Sequence, residues 1–440
     1  MNDSDEIKSS NLQVTAVVYF RTIFLTCLII SLIIIYIASE YFQTARLSQF
    51  ISFQPEDAPG PMPSYAYPRP WGVHFFGDFL LSFRTAQLPS PYFADGFVPF
   101  SYLPFAAVLL GPFALFNYWT AVVLFFATAI ILLILVLNWG LKHLQKGSQR
   151  LIILLFFASG PMFMMLDRGN VSLILTAICI FAVMNLQRGN IYIAAIAFGF
   201  SAAIKGYPLL FLLIFARRRE WKQFLVGVST FFMATLVPLI FYQKCFFSNL
   251  NELVRQFRAA GTPVHAINIR AFNNSLFSFL DTCRTSLPSA LTNPFEIMVN
   301  NYSLFGILFA IILLTHAVSK HASDFDSLLL VTVAMVTIPQ TVNYYVLLLY
   351  FVPLIFSWSE ELQLNLKLKL IMAALAIVMV PKSVPLWSPF GPWSPGAATY
   401  TSFVNPLCAL FISFVCVYSI NRRRYSMFSN RIRPSNIHQD

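Results

Sequence analysis

WTAVVLFFATAIILLILVLNW, residues 119–139, is a run of twenty-one residues without one ionisable side chain. As an α-helix it rises about 31 Å, the thickness of the hydrocarbon core of a bilayer. No soluble core needs so long an uninterrupted apolar cylinder, so this stretch sets the fold class. Outward from it, further apolar runs occupy 17–38, 100–116, 151–166, 171–187, 191–216, 223–243, 301–318, 327–342, 344–358, 368–386 and 401–420. The pattern predicts an all-α, polytopic transmembrane helical bundle of about 12 spans. The runs 151–166, 171–187, 327–342 and 344–358 are short, as broken or incomplete spans would be.

The composition agrees. Of 440 residues, 58% are hydrophobic and 11% charged, against roughly 25% charged in soluble domains. The net charge of +11 sits at the ends of apolar runs, as in Arg217–Arg218–Arg219 and Arg422–Arg423–Arg424. That is how membrane proteins anchor at anionic headgroups, and it excludes a nucleic-acid-binding stripe. Four of the six cysteines (Cys27, Cys179, Cys408, Cys416) lie in apolar runs and read as small hydrophobes. Cys245 and Cys283 flank a polar loop and form either a disulfide or two free thiols. No metal-ligand spacing occurs among the scattered His and Cys. The polar start followed by a long apolar run reads as an uncleaved signal anchor.

With the N-terminus inside, the cytoplasmic segments hold Lys8, Arg168, Arg217–Lys222, Lys320, Lys367 and the basic tail. The loop Lys142–Arg150 opposes this orientation, and residues 117–190 are its weakest part. The orientation places two long segments outside, 40–99 and 244–300. The organisation expected is a transmembrane core over 1–243 with a catalytic outer loop at 40–99, a second outer loop at 244–300, and C-terminal helices with a basic cytoplasmic tail over 301–440. Around 74–88 the first loop turns helical, with Trp71, Phe75, Phe76, Phe79, Leu80 and Phe83 at helical spacing. Such a helix lies along the membrane surface or packs on the bundle; periodicity does not separate the two. The hydropathy pattern shows no internal duplication, which counts against a transporter built from repeats.

Ionisable groups are conspicuous where lipid makes them costly. Lys205 falls in the middle of run 191–216. Pro208 behind it frees the carbonyl of Ile204, so a kink beside the charge is expected. A buried cation there implies an anion site or an internal pair with Asp167. Asp78, on the outer amphipathic helix, can serve as general base for a hydroxyl acceptor; a lone Asp on such a helix is also commonly a cap or a solvated side chain.

Asp167-Arg168-Gly169-Asn170-Val171-Ser172, then a hairpin, then Lys205-Gly206-Tyr207-Pro208 and Arg217–Arg219, resembles the GT-C polyprenyl-phosphate-dependent glycosyltransferases. The nearest likeness is to glycosyltransferase family 87, the bacterial alpha-mannosyltransferases. Asp78, Pro91-Tyr92, Tyr102-Leu103-Pro104, Asn273-Asn274-Ser275-Leu276 and Tyr344-Tyr345 follow the family's order. The chain departs from the family at a His, where it has Tyr344, and at a frequent Gly-Gln, where it has Arg168-Gly169-Asn170.

The resemblance implies a GT-C-type fold with amphipathic helices in the first extracytoplasmic loop. It implies inverting transfer of a hexosyl, mannosyl in most relatives, from a polyprenyl-phosphate sugar to a lipid or glycan hydroxyl at the outer face of the cell inner (plasma) membrane. Asp78 would be the base. Lys205, Arg84, Asn273, Ser275 and Tyr345 would face the donor phosphate. Tyr92, Tyr102, Arg168, Asn170, Tyr207 and Tyr344 would contact substrate or hold the fold. No cofactor or metal is called for, and the partners are donor, acceptor and membrane lipids. The alternatives are a lipid-linked sugar flippase or transporter, and a lipid-linked oligosaccharide polymerase using Arg255, Arg258, Arg270 and Arg284.

Overall fold

The computed structural model describes residues 3–41, 76–93, 102–142, 144, 146–260, 273–359, 364–382, 385–387 and 398–432. The Pro-rich stretch 55–70, Trp71, Phe75, Arg270 and Arg433 lie outside the described residues. Helices make up most of the described chain; its strands are one short antiparallel pair, Pro385–Trp387 with Ala398–Thr399, among the described residues.

Among the described residues, four helices are long and apolar enough to cross a membrane: Val17–Ile37, Tyr118–Gly140, Trp221–Phe241 and Tyr400–Tyr425. Two bent pairs, Lys146–Phe157 with Gly160–Arg168 (56°) and Leu291–Asn300 with Tyr302–Ala317 (82°), bring the number to six if each counts as one span. The described residues therefore do not confirm twelve full spans. Several of the expected runs form helices of 14 to 16 residues, such as Ser172–Gln187, Asp324–Thr337 and Leu366–Met379, shorter than the ~20 residues a full crossing takes. The outward surfaces of the long helices expose Ile33, Val123, Leu225 and Phe414, the side chains that lipid tails accommodate.

Two runs fold differently from their hydropathy. Run 100–116 does not cross. Its helix Pro104–Leu110 has seven residues and gives way to a 3-10 turn, Phe113–Leu115. Tyr118 then packs its ring against Phe79 and Phe83, on the helix Gly77–Ala86 that also carries Asp78. The helix Pro104–Leu110 and the Tyr118 ring beyond it thus meet the same short helix. Run 191–216 is a hairpin, not one kinked helix. Helix Ile191–Ile204 ends at Lys205, whose backbone is extended. The chain then returns through the 3-10 segment Tyr207–Leu212 and the helix Leu213–Arg217. Phe198 stacks on Phe211 at 5.1 Å and meets Phe215 at 6.5 Å, so the two arms lie side by side. The Ile204 carbonyl freed by Pro208 accepts a bond from Leu103 N at 3.3 Å.

These folds do not fit the expected sidedness of 117–190. Arg168, assigned inside, stands 3.9 Å from Asp78, assigned outside. Lys142, Lys146 and Arg150 move to the opposite end. There Arg188 lies over the Trp139 ring at 3.5 Å and donates to the Trp139 carbonyl.

Four of the basic groups expected on one side, Arg217, Arg218, Lys367 and Arg423, do gather. Ser323 caps helix Asp324–Thr337 through a capping box with Asp326. Arg217 and Arg218 pair with Asp324. Lys367 and Arg423 pair with Asp326, whose side chain is fully buried. Four segments are fastened at one helix N-terminus, where carboxylates also suit the helix dipole. Asp326→Asn removes the carboxylate charge that both Lys367 and Arg423 bond. The expected loss is about 2–3 kcal/mol, below the fully buried range because Arg423 is partly solvated; thermal unfolding of the detergent-solubilised protein measures it.

Candidate active site

At the other end of the bundle four segments converge on one side chain. The helix Gly160–Arg168 ends in a Schellman turn: Gly169 N donates to Leu166 O and Asn170 N to Met165 O. Gly169 takes the left-handed conformation, with φ of 62°. A Cβ there would also stand 2.7 Å from Phe79 Cβ, so glycine is required both by conformation and by the approach of helix Gly77–Ala86. Phe76, just before that helix, is itself left-handed at φ 58° and donates its N–H to the Asp167 carbonyl at 2.7 Å. The Asp-Arg-Gly-Asn turn and the Asp78 helix are thus locked together by backbone and by close packing. Phe79 and Phe83 are buried, so the amphipathic helix packs on the bundle.

The turn delivers the Asn170 side chain, itself buried, to the centre of the site. Its Nδ2 donates to Asp78 Oδ2 at 2.6 Å and to Tyr102 Oη at 2.9 Å. Its Oδ1 accepts from Ser172 N at 2.9 Å and from Lys205 Nζ at 3.0 Å. Lys205 therefore bonds Asn170; of the two expectations for it, an anion site or a pair with Asp167, the pair is not what it forms. Its ammonium sits 4.8 Å from the centroids of both the Tyr102 and Tyr345 rings, where ring faces attract a cation. Arg168 Nη1 approaches Asp78 Oδ1 at 3.9 Å, and both side chains keep partial exposure, 18% and 26%.

The remaining expected residues support this group or lie beside it. Tyr92 Oη donates to the Tyr102 carbonyl at 2.9 Å, and Gln256 Nε2 to the Tyr92 carbonyl at 2.7 Å. Tyr207 is packed beside Ser172, Tyr102 and Tyr345. Arg84 lies in the last turn of the Asp78 helix, rotated about 120° from the carboxylate by helical geometry and close to Tyr118.

Asn273 and Ser275 bind backbone. Asn273 Nδ2 donates to Gln340 O and its Oδ1 accepts from Val342 N and Ser275 N. Ser275 Oγ donates to Gln340 O and accepts from Ser278 N. This clasp holds the segment that presents Tyr345. Asn343, which sequence reading passed over, donates to Tyr345 Oη at 2.9 Å; its place just before Tyr344-Tyr345 is the signal that could have found it. Tyr344 turns the other way and donates to Val380 O at 2.9 Å. Cys245 is exposed and Cys283 buried, and both are free thiols. Among the described residues no group of three His, Cys, Asp or Glu could hold a metal ion.

The assembled group is a carboxylate and an ammonium fixed on opposite sides of one amide, with a guanidinium and a tyrosine at the edges. A model of glycosyltransferase family 87 matches residues 100–381. The chain belongs to glycosyltransferase family 87. A search of curated proteins finds no match. The protein is accordingly a membrane glycosyltransferase, acting on a sugar donor and an acceptor. The family match takes in Tyr102, Arg168, Asn170, Lys205 and Tyr345, while Asp78 precedes it; geometry alone attaches the carboxylate to the family-87 core.

Gly169→Ala forces a Cβ into the left-handed region, which costs about 1–2 kcal/mol, and pushes it against Phe79. A lowered unfolding temperature with loss of transferase activity is expected in purified protein, and an unchanged melting profile would contradict the locked turn.

Proposed function

We propose that this family-87 enzyme transfers a hexosyl residue, mannosyl by family resemblance, from a polyprenyl-phosphate sugar to a lipid or glycan hydroxyl, with inversion. The carrying observation is the placement of Asp78 and Lys205 on opposite sides of the Asn170 amide. The acceptor O–H gives its proton to Asp78 as its oxygen bonds the anomeric carbon. The bond from that carbon to the phosphate oxygen breaks, and its electron pair leaves with the polyprenyl phosphate. Lys205, with Arg168 and the Tyr345 hydroxyl at the edges, faces that growing negative charge.

Three further features support the reading. The arm Tyr207–Arg217 separates Lys205 from the ion-paired basic cluster by about 20 Å. If that cluster marks the cytoplasmic side, the reaction belongs at the outer face of the inner membrane. An apolar groove of about 660 Å³, lined by Phe105, Phe200, Leu225 and Met233, starts three residues past Tyr102 and suits a prenyl chain. A polymerase reading has less support, since Arg255 and Arg284 are bonded to Glu252 and Asp281.

Membranes containing the protein, supplied with a panel of radiolabelled polyprenyl-phosphate sugars, are expected to transfer label from at least one. Asp78→Asn is expected to lower that transfer by about 10²–10⁴-fold, the range of a lost general base, with folding unchanged. Full activity in Asp78→Asn would overturn the assignment.

A further inference from the structure

The Asn170 amide has four hydrogen-bonding valences, and all four are engaged. Ser172 N–H and the Lys205 ammonium only donate, so they must face Oδ1. An ionised Asp78 carboxylate only accepts, so it must face Nδ2. The amide orientation is thus dictated by chemistry. The backbone of Asn170 is held by the Schellman turn, and the residue is fully buried.

The consequence is an enforced separation. Lys205 and Asp78 are the two opposite charges nearest the centre, yet each bonds the amide instead of the other. In low-dielectric surroundings a contact pair would be strongly favoured. It would also disable both groups as reagents. A carboxylate held by an ammonium is a weaker base, and an ammonium held by a carboxylate has less attraction left for a phosphate. The other groups facing Asp78 do not substitute for this arrangement. Arg168 stays at 3.9 Å, longer than a hydrogen bond. Tyr102 and Tyr345 face it as hydroxyls, and Tyr118 packs on the far face of the same helix.

We propose that Asn170 is a positioning residue that holds Asp78 and Lys205 apart, keeping one available as base and the other as phosphate partner. The proposal rests on the transfer reaction proposed above for the roles of the two charges, but the separation itself is independent of it. No other side chain of similar size does the same. Aspartate has no donor for Asp78, and alanine leaves the gap open.

Full-length protein in lipid nanodiscs tests this in two ways. A cryo-electron-microscopy structure of Asn170→Ala is expected to show the Asp78 carboxylate in direct contact with the Lys205 ammonium. If the two stay apart, the proposal is overturned whether or not the protein transfers sugar. Kinetically, Asn170→Ala is expected to lower transfer at least about tenfold in the wild-type background but no more than about threefold in a Lys205→Ala background, the signature of coupled residues. Equal losses in both backgrounds would indicate a merely structural role and overturn the proposal. Should Asn170→Ala fail to fold, Asn170→Asp keeps the shape. It is expected to draw Lys205 onto the new carboxylate and lose at least about tenfold; activity within about twofold of wild type would overturn the proposal. If the wild-type protein transfers sugar from no donor on the panel, the proposed function fails while the structural arm still decides the separation.

Discussion

One buried amide ties the functional end of this protein together. Through Asn170 the helix Gly77–Ala86, the segment ahead of Pro104, the start of helix Ser172–Gln187 and the tip of the hairpin at Lys205 are joined by four hydrogen bonds. In an apolar chain each of these polar groups would be costly alone. Together they satisfy one another, and the requirement that they do so fixes where four remote pieces of sequence must meet. The hairpin tip illustrates this. Pro208 leaves the Ile204 carbonyl without its helical donor, and Leu103 N supplies one. The bond that repairs the break also brings Tyr102 up to Lys205.

The opposite end obeys the same rule with charges in place of amides. Asp324 and Asp326 collect Arg217, Arg218, Lys367 and Arg423 from three other segments. Two polar clusters thus clamp a bundle whose remaining packing is largely apolar side chains against apolar side chains. In lipid such contacts discriminate poorly between neighbours, because tails are as apolar as leucine. The polar ends supply the register that packing alone leaves loose.

What was legible in the sequence follows from this. Lipid makes Asp78, Arg168, Asn170 and Lys205 conspicuous, and the structure brings these four together. Hydropathy was less informative about path. A run of seventeen apolar residues reads as a crossing, but 100–116 contains a seven-residue helix that returns to where it began. Pro208 was readable as a disturbance, whereas the reversal of direction depends on Phe198 meeting Phe211 and Phe215, a contact no local pattern encodes. Asn273 and Ser275 were visible as a motif, but their bonds to Gln340 and Val342 backbone show that a short polar motif can serve a neighbouring loop as readily as a ligand.

The tyrosine pair carries the same lesson to the reacting groups. Tyr344 stands where family resemblance places a histidine, and its hydroxyl is bound to Val380 O, away from Asp78. Its neighbour Tyr345 lies against Lys205. The two begin a 3-10 helix, Tyr344–Tyr350, in which successive side chains point about 120° apart, so only one of an adjacent pair can face the site. Tyr345 is held by Asn343, and Asn343 by the bridge to Asn273. A polar group positioned through such a series of fixed contacts needs little rearrangement when charge develops beside it, which is what makes electrostatic stabilisation effective in a dry site. Whatever imidazole does elsewhere in the family, the position facing Asp78 and Lys205 here is filled by a phenol whose placement is set by backbone clasps more than forty residues away in sequence.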